Sequence, residues 1–280
     1  MKKQVALLII DAQNDFCDPK GSLFVPGAVE DSNRLTNWIG LNKKYIDYIG
    51  ITIDSHQMLD IAHPKYWFDK DGKNPVPFTV ITSADVEEGK WNSINPKVSL
   101  KYLKDLEADG QFLHVIWPEH CIIGTWGNLI HEPVNNVILD WASQGHYVHY
   151  IPKGAHPNTE HFGAFESQVP IEDKPLTQYN EKLMDTLDKN DVIYIAGQAK
   201  SHCVANTIKQ IMDNAPGVAK KVVILEDTMS PVPGGPDPDN EALTFDLISQ
   251  PIYDDAKAMG VKFSNTKSES LASTYVSAGV

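Results

Sequence analysis

Six polar side chains in this sequence stand at or shortly after the ends of short apolar runs, and their types are those of acyl-transfer and metal chemistry. Asp11 follows the run 5–10, Asp54 and His56 follow 48–53, and His120 follows 112–117. Lys153 follows 147–151, and Cys203 comes soon after 192–196. In an open parallel sheet, ligands bind beyond the carboxyl ends of the strands. If these runs are strands, all six side chains project toward one rim.

Cys203 lies in the segment 196–204, where a strand ends, the chain turns and a helix begins. Ser201 as N-cap would place Cys203 in the first helical turn, where the dipole and free backbone N–H groups favour a thiolate. The plainer reading of any intracellular cysteine is an inert packing residue, and it is the one adopted for Cys17 and Cys121. Asp11 ends a fully apolar run, so desolvation should raise its pKa unless a cation stands near it; Lys153 is the candidate cation. A carboxylate beside a thiol can take its proton and return it to a leaving amine, while the ammonium balances the charge. Singly, Asp11 reads equally well as a turn cap and Lys153 as a solvated surface residue. Their coincidence with Cys203 at strand ends argues otherwise.

Asp54 and His56 form an acid–imidazole pair two residues apart, with His63 seven positions on and His120 beyond another run. Carboxylate oxygen and imidazole nitrogen suit zinc, iron or manganese, and three protein ligands leave a position open for water or substrate. The D-x-H spacing alone is weak. Its force comes from His120 arriving at the same rim.

The elements that must position these groups follow from the alternation of short β-branched runs with helical patterns, the signature of βαβ units. Strands are expected at 5–10, 48–53, 112–117, 147–151, 192–196, 222–225 and 261–263. Helices are expected at 28–44, 134–143, 179–189, 202–214 and 241–259. The fold class is therefore α/β, a doubly wound and mostly parallel sheet with helices on both faces. The whole chain, 1–280, reads as one domain with an insertion at about 59–109 and a C-terminal extension from about 265. Segment 230–238 is a Pro/Gly loop, and the last dozen residues read as frayed or docked late.

At 42% hydrophobic and 22% charged residues the chain is of ordinary globular composition. Twenty-four basic against 37 acidic residues give a net charge of −13, which argues against nucleic-acid or anionic-lipid partners. No apolar run approaches the roughly 18 residues of a membrane span, and the basic start leads into 5–10 and then Asp11 rather than to a cleavage site. Three cysteines make no disulfide framework, so a reducing compartment, the cytoplasm, is expected. Partners are expected to be small molecules, and the sequence leaves room for a homo-oligomer.

Several segments together match a known family. They are 8–16 (LIIDAQNDF), Asp54–Ser55–His56 with His63, 117–125 (WPEHCIIGT), Lys153–Gly154 followed by 161–165 (HFGAF), and 197–204 (GQAKSHCV). Their order and spacing resemble the nicotinamidase (pyrazinamidase-like) branch of the isochorismatase-like cysteine hydrolases, over residues 5 to about 229. The resemblance implies a triad of Asp11, Lys153 and Cys203. It also implies a metal on Asp54, His56 and His120, with His63 where some members place a fourth ligand. It implies an oxyanion hole from the backbone amides of Ala199 and Cys203, reached through a cis peptide between Gln198 and Ala199. Phe16 and Trp117 match residues that sandwich the substrate ring; as aromatics they read equally as core. The implied reaction is conversion of nicotinamide or a similar small aromatic carboxamide to the acid and ammonia through a thioester. The implied cofactor is one divalent transition ion, zinc first, with iron or manganese as alternatives. Such an activity belongs to pyridine nucleotide salvage.

Three departures bear on substrate identity: the insertion and long C-terminal part, Lys200–Ser201 before the nucleophile, and Gly163 where Ser is common. Other readings are a related cysteine hydrolase acting on another amide or on isochorismate, and a non-catalytic binding protein keeping the fold. The insertion, tethered at the rim by both ends, reads equally as a lid or as a packing element. If its acidic stretch 85–88 faced the opening, it would favour neutral substrates.

Overall fold

The computed structural model describes residues 3–272 apart from 111, 238, 239 and 241. In chain order its elements are β1 (Val5–Ile10), α1 (Asn14–Cys17), α2 (Ala28–Asn42), β2 (Tyr48–Asp54), β3 (Trp67–Phe68), α3 (Ser83–Glu87), β4 (Asn92–Ser93) and α4 (Pro96–Asp109). There follow α5 (Glu132–Ala142), β5 (Val148–Lys153), α6 (Glu181–Asp188), β6 (Val192–Gly197), α7 (Ala205–Asn214), α8 (Pro216–Ala219), β7 (Val222–Leu225), α9 (Phe245–Met259) and β8 (Lys262–Ser264).

β1 is buried along its whole length because both of its faces are covered. Val5, Leu7 and Ile9 join a core with Leu35, Trp38 and Ile39 of α2 and Val134, Ile138 and Trp141 of α5. Ala6, Leu8 and Ile10 point the other way, into a core with Leu183 and Leu187 of α6 and Ile208 and Ile211 of α7. A strand buried on both sides has no polar alternate, hence the unbroken apolar run. The expected doubly wound sheet is present as six parallel strands in the order β5-β2-β1-β6-β7-β8. The chain steps outward from β1 to β2 and β5, then returns to β6 on the other side of β1. That reversal makes the carboxyl ends of β1 and β6 the switch point where a ligand crevice opens.

The expected strand at 112–117 is not in this sheet. Ile116 N–H donates to Thr79 O, Ile81 N–H to His114 O, and Trp117 N–H to Ala62 O, with a single bridge between Val80 and Val115. The segment is extended and buried, as its composition requires, but its backbone groups are satisfied by the insertion. Apolar β-branched content specifies an extended buried stretch without specifying its partner.

The region 59–109 has a core of its own. Ser99, Tyr102, Leu103 and Leu106 are the buried face of α4, at i, i+3, i+4 and i+7. They pack with Ile61, Tyr66, Trp67, Ile81 and Ile116. The acidic stretch forms α3, whose Asp85 is engaged in a capping box with Thr82 and in an ion pair with Lys90 at 2.8 Å. Toward the C-terminus, Thr266 bonds Asp227 through its N–H and hydroxyl. Trp38 donates to Glu269 O at 2.7 Å, and Leu271 is buried against the α2 side of the sheet. Of the last dozen residues, read as frayed or docked late, only 269–272 are described; residues 273–280, the basic start at Met1 and Lys2, Pro238 and the expected helix start at Glu241 lie outside the described residues. Among the described residues no helix is long and apolar enough to cross a membrane.

Candidate active site

Lys153 is the centre of the site. Its ammonium lies 2.9 Å from Asp11 Oδ2 and 3.0 Å from Asp54 Oδ1, donates to His161 O at 2.9 Å, and stands 3.7 Å from Cys203 Sγ. Asp54 and Lys153 are register partners at the ends of adjacent strands. Gly154, next in the chain, has φ +74, and a Cβ there would come within 2.7 Å of Asp54 Oδ1. Only glycine lets the chain leave β5 so close to this pair.

Asp11 turns out of β1 with φ 40, a strained value for a non-glycine residue. Thr52 fixes it: the threonine hydroxyl accepts from Asp11 N–H at 2.9 Å and donates to Asp11 Oδ1 at 2.6 Å. Burial raises the Asp11 pKa, as the sequence implies, and Lys153 opposes the rise. Burial likewise pushes the Cys203 thiol well up; Lys153 opposes the rise, and the Asp11 carboxylate adds to it. The thiolate expected from a helix N-terminus is therefore not the resting form. Lys153 stays cationic, because Asp11 and Asp54 outweigh its own desolvation.

The nucleophile loop differs from expectation in one respect. Ser201 does not cap a helix: it lies inside a π-helical turn, Lys200–Val204, that runs into α7. Its hydroxyl instead accepts from Val232 N–H and bonds His202 Nδ1. The Gln198–Ala199 peptide is cis. Lys200 pairs with Asp246 at 2.7 Å and lies over the Tyr253 ring, both on α9. Its charge is thus spent on a helix behind the loop, away from the cavity lining. Gly163 makes room for Gln210, since a Cβ at 163 would sit 2.1 Å from Gln210 Oε1, which accepts from Phe165 N–H.

Beside Lys153, Asp54 Oδ2 lies 3.0 Å from His56 Nε2 and 3.4 Å from His120 Nε2. The far nitrogen of each ring has its own partner: His56 Nδ1 faces Asp60 Oδ2 at 3.2 Å, and His120 Nδ1 faces Pro118 O at 2.8 Å. Carboxylate or carbonyl behind imidazole, with the other nitrogen directed inward, is the outer-shell pattern of metal-ligating histidines. The donor set fits a first-row divalent ion. His63 lies against the group, its Nε2 3.2 Å from His120 Nδ1, and the three imidazoles offer nitrogens within 4.8 Å of one another.

Asp54, His56, His120 and Cys203 line a cavity of about 30 Å³ together with Phe16, Trp117, Glu160, Phe162, Ala199 and His202. Cys17 and Cys121 are buried away from it, and burial pushes both thiols up, Cys17 to about 12. Among the described residues none of this lining comes from 59–109; the insertion reaches the cavity wall from outside, where Phe78 packs edge-on to Trp117 with centroids 6.0 Å apart.

No family model matches the chain. It is 25% identical over 232 residues to the nicotinamidase of Saccharomyces cerevisiae, covering 82% of this chain and 90% of that protein. The structure of the yeast nicotinamidase bound to the inhibitor nicotinaldehyde superposes with a TM-score of 0.60 at 22% identity, covering 94% of this chain and all of that one. The chain is nicotinamidase-like in sequence and in fold. The pyrazinamidase of Pyrococcus horikoshii, solved in complex with zinc, shares the fold at a TM-score of 0.52 and 18% identity, over 94% and 99% of the two chains.

In this nicotinamidase-like chain, sequence reasoning missed Thr52, Asp60 and Glu160. Asp60 stands four residues after His56, a spacing that signals nothing outside a helix. Thr52 is hidden inside an apolar strand. Glu160, seven residues after Lys153, looks like an ordinary surface acid until the fold buries it.

Proposed function

We propose that this chain is a metal-containing cysteine amidohydrolase that converts nicotinamide, or a similar small aromatic carboxamide, to the acid and ammonia. The observation that carries the reading is the Lys153 ammonium, which touches Asp11, Asp54 and Cys203 at once. It joins a thiol–carboxyl pair to an N,N,O donor set in one buried site. The relatives' activity on nicotinamide supports the choice of substrate.

Cys203 Sγ attacks the amide carbon as its proton passes to Asp11. Both groups are raised by burial, and the raised Asp11 carboxylate is a stronger base for the thiol proton than a free aspartate. Asp11 then delivers the proton to the departing nitrogen, ammonia leaves, and water hydrolyses the thioester with Asp11 as base. Lys153 cannot be that base, since it remains an ammonium; it offsets the anion on Asp11 or Cys203. The backbone amides of Ala199 and Cys203 hold the oxyanion, each donor worth roughly 3–4 kcal/mol in comparable sites. Phe16 and Trp117 flank the ring.

Asp54, His56 and His120, with His63 beside them, would hold one divalent transition ion, zinc first. When bound, the ion supplies a Lewis-acidic position for the pyridine nitrogen. The test is ammonia release over a panel of nicotinamide, pyrazinamide, benzamide and an aliphatic amide, with metal analysis of the same sample. Release from the aromatic amides alone supports the reading, and no release from any of them rejects it.

A further inference from the structure

Glu160 is a cavity carboxyl that the chemistry above does not use. It is 4% exposed and lines the cavity, and its Oε1 accepts from Trp117 Nε1 at 3.1 Å. Trp117 forms the adjoining wall, edge-on to His202 with centroids 4.9 Å apart and 5.5 Å from Phe245. Burial pushes Glu160 up to about 8; His56 and Lys153 oppose the rise, and Asp60 and Asp54 add to it. A buried carboxyl beside other acids is a costly acceptor for one indole N–H, which a neutral amide would serve more cheaply.

The backbone around Glu160 leads to the insertion. Its carbonyl accepts from Gln168 N–H at 2.8 Å. Just upstream, Ile61 N–H donates to Pro157 O at 2.9 Å, and the Tyr66 hydroxyl donates to Asn158 Oδ1 at 2.8 Å. Just downstream, Lys153 holds His161 O. The loop after β5 is thus clamped between the central lysine and the insertion, with Glu160 at the cavity between the two clamps.

We propose that Glu160 is a positioning residue for the substrate: it fixes the Trp117 indole as the cavity wall, and the insertion holds the loop that carries Glu160 through Ile61 and Tyr66. The insertion then acts on the pocket from behind, without covering it. The inference rests on the amide-hydrolase reading. A wall that meets substrate and transition state alike contributes to KM and not to kcat.

The test is steady-state kinetics on nicotinamide and pyrazinamide with Glu160→Ala, Glu160→Gln, Trp117→Phe, Tyr66→Phe and the double variant Glu160→Ala/Trp117→Phe. Glu160→Ala should raise KM about tenfold with kcat within about threefold, the scale of one lost buried hydrogen bond. Glu160→Gln, which still accepts the indole proton, should stay within about twofold of the parent KM. Trp117→Phe should reproduce the KM rise, and in that background Glu160→Ala should add less than about twofold. Tyr66→Phe, which removes the hydroxyl held by Asn158, should raise KM in the same direction by a smaller factor. If Glu160→Ala does not fold by near-UV circular dichroism, Trp117→Phe, Tyr66→Phe and Glu160→Gln carry the test. An unchanged KM in Trp117→Phe, full additivity in the double variant, or a fall in kcat alone overturns the proposal. A parent protein inactive on every amide sinks the amide-hydrolase reading as well, whereas an active parent with unaffected variants sinks only the role of Glu160.

Discussion

Asp54 and Lys153 are Cα partners at the last rung of two neighbouring parallel strands, and their side chains meet at 3.0 Å. Each faces a different chemistry. Asp54 turns its other oxygen to His56 and His120, and Lys153 turns to Asp11 and Cys203. One strand pairing therefore fixes the distance between Cys203 and the imidazole pair. On the proposed function, a ring held at the imidazoles presents its carboxamide to Cys203.

Lys153→Met should be lost in both activity and stability. The variant leaves the Asp11 and Asp54 carboxyls buried without their shared cation, and breaking a buried ion pair costs about 3–5 kcal/mol. Turnover should fall at least about a thousandfold, and thermal unfolding monitored by circular dichroism should shift down. A stable, inactive protein would mean that the ammonium serves chemistry alone.

His56→Ala and His120→Ala should each lose most of the bound metal, since an incomplete shell retains little affinity. His63→Ala should lose less, because its Nε2 is directed at the back of His120. Metal content by mass spectrometry, measured beside ammonia release, distinguishes them. Full activity after exhaustive chelation, in protein confirmed metal-free, contradicts the metal assignment.

Stability should fall as pH drops below about 6.5. Burial lowers the pKa of His114, His161 and His202 to about 3 each. Between these values and 6.5 the unfolded chain binds the more protons, so stability present at neutral pH is lost on acidification. Each histidine contributes about 1.4 kcal/mol per pH unit across that window. Urea unfolding at pH 7, 6 and 5 measures the slope, and His202→Phe, which keeps a ring among Phe112, Trp117, Phe162 and Phe245, should make it shallower.

Replacing residues 82–92 with a short Gly/Ser linker should leave the ranking of neutral and charged amides unchanged, because α3 does not reach the cavity lining. A reordered ranking would restore the lid.

Much of this arrangement was legible in the sequence, for a physical reason. Strands buried on both faces are written as unbroken apolar runs, and polar residues at their ends mark the rim, which located Asp11, Asp54 and Lys153. His120 was reached by a faulty route: the run before it pairs with the insertion, yet the loop still brings His120 to Asp54. The helix α4 was hidden in a segment read only as an insertion, because Lys and Asp on its outer face mask four buried positions. The resting state of Cys203 was misread because a strand–turn–helix pattern announces a dipole but not the desolvation that outweighs it. Asp60 and Glu160 carry no local signal, since long-range packing alone buries them.

The most direct test of the central claim is rapid-quench intact-mass analysis of the metal-loaded protein mixed with nicotinamide, alongside ammonia release. The account predicts a transient acyl adduct mapped to Cys203, ammonia appearing no later than the adduct, and neither signal in Cys203→Ala of unchanged fold. Sustained ammonia release by Cys203→Ala, or an adduct mapped to Cys17 or Cys121, would contradict it.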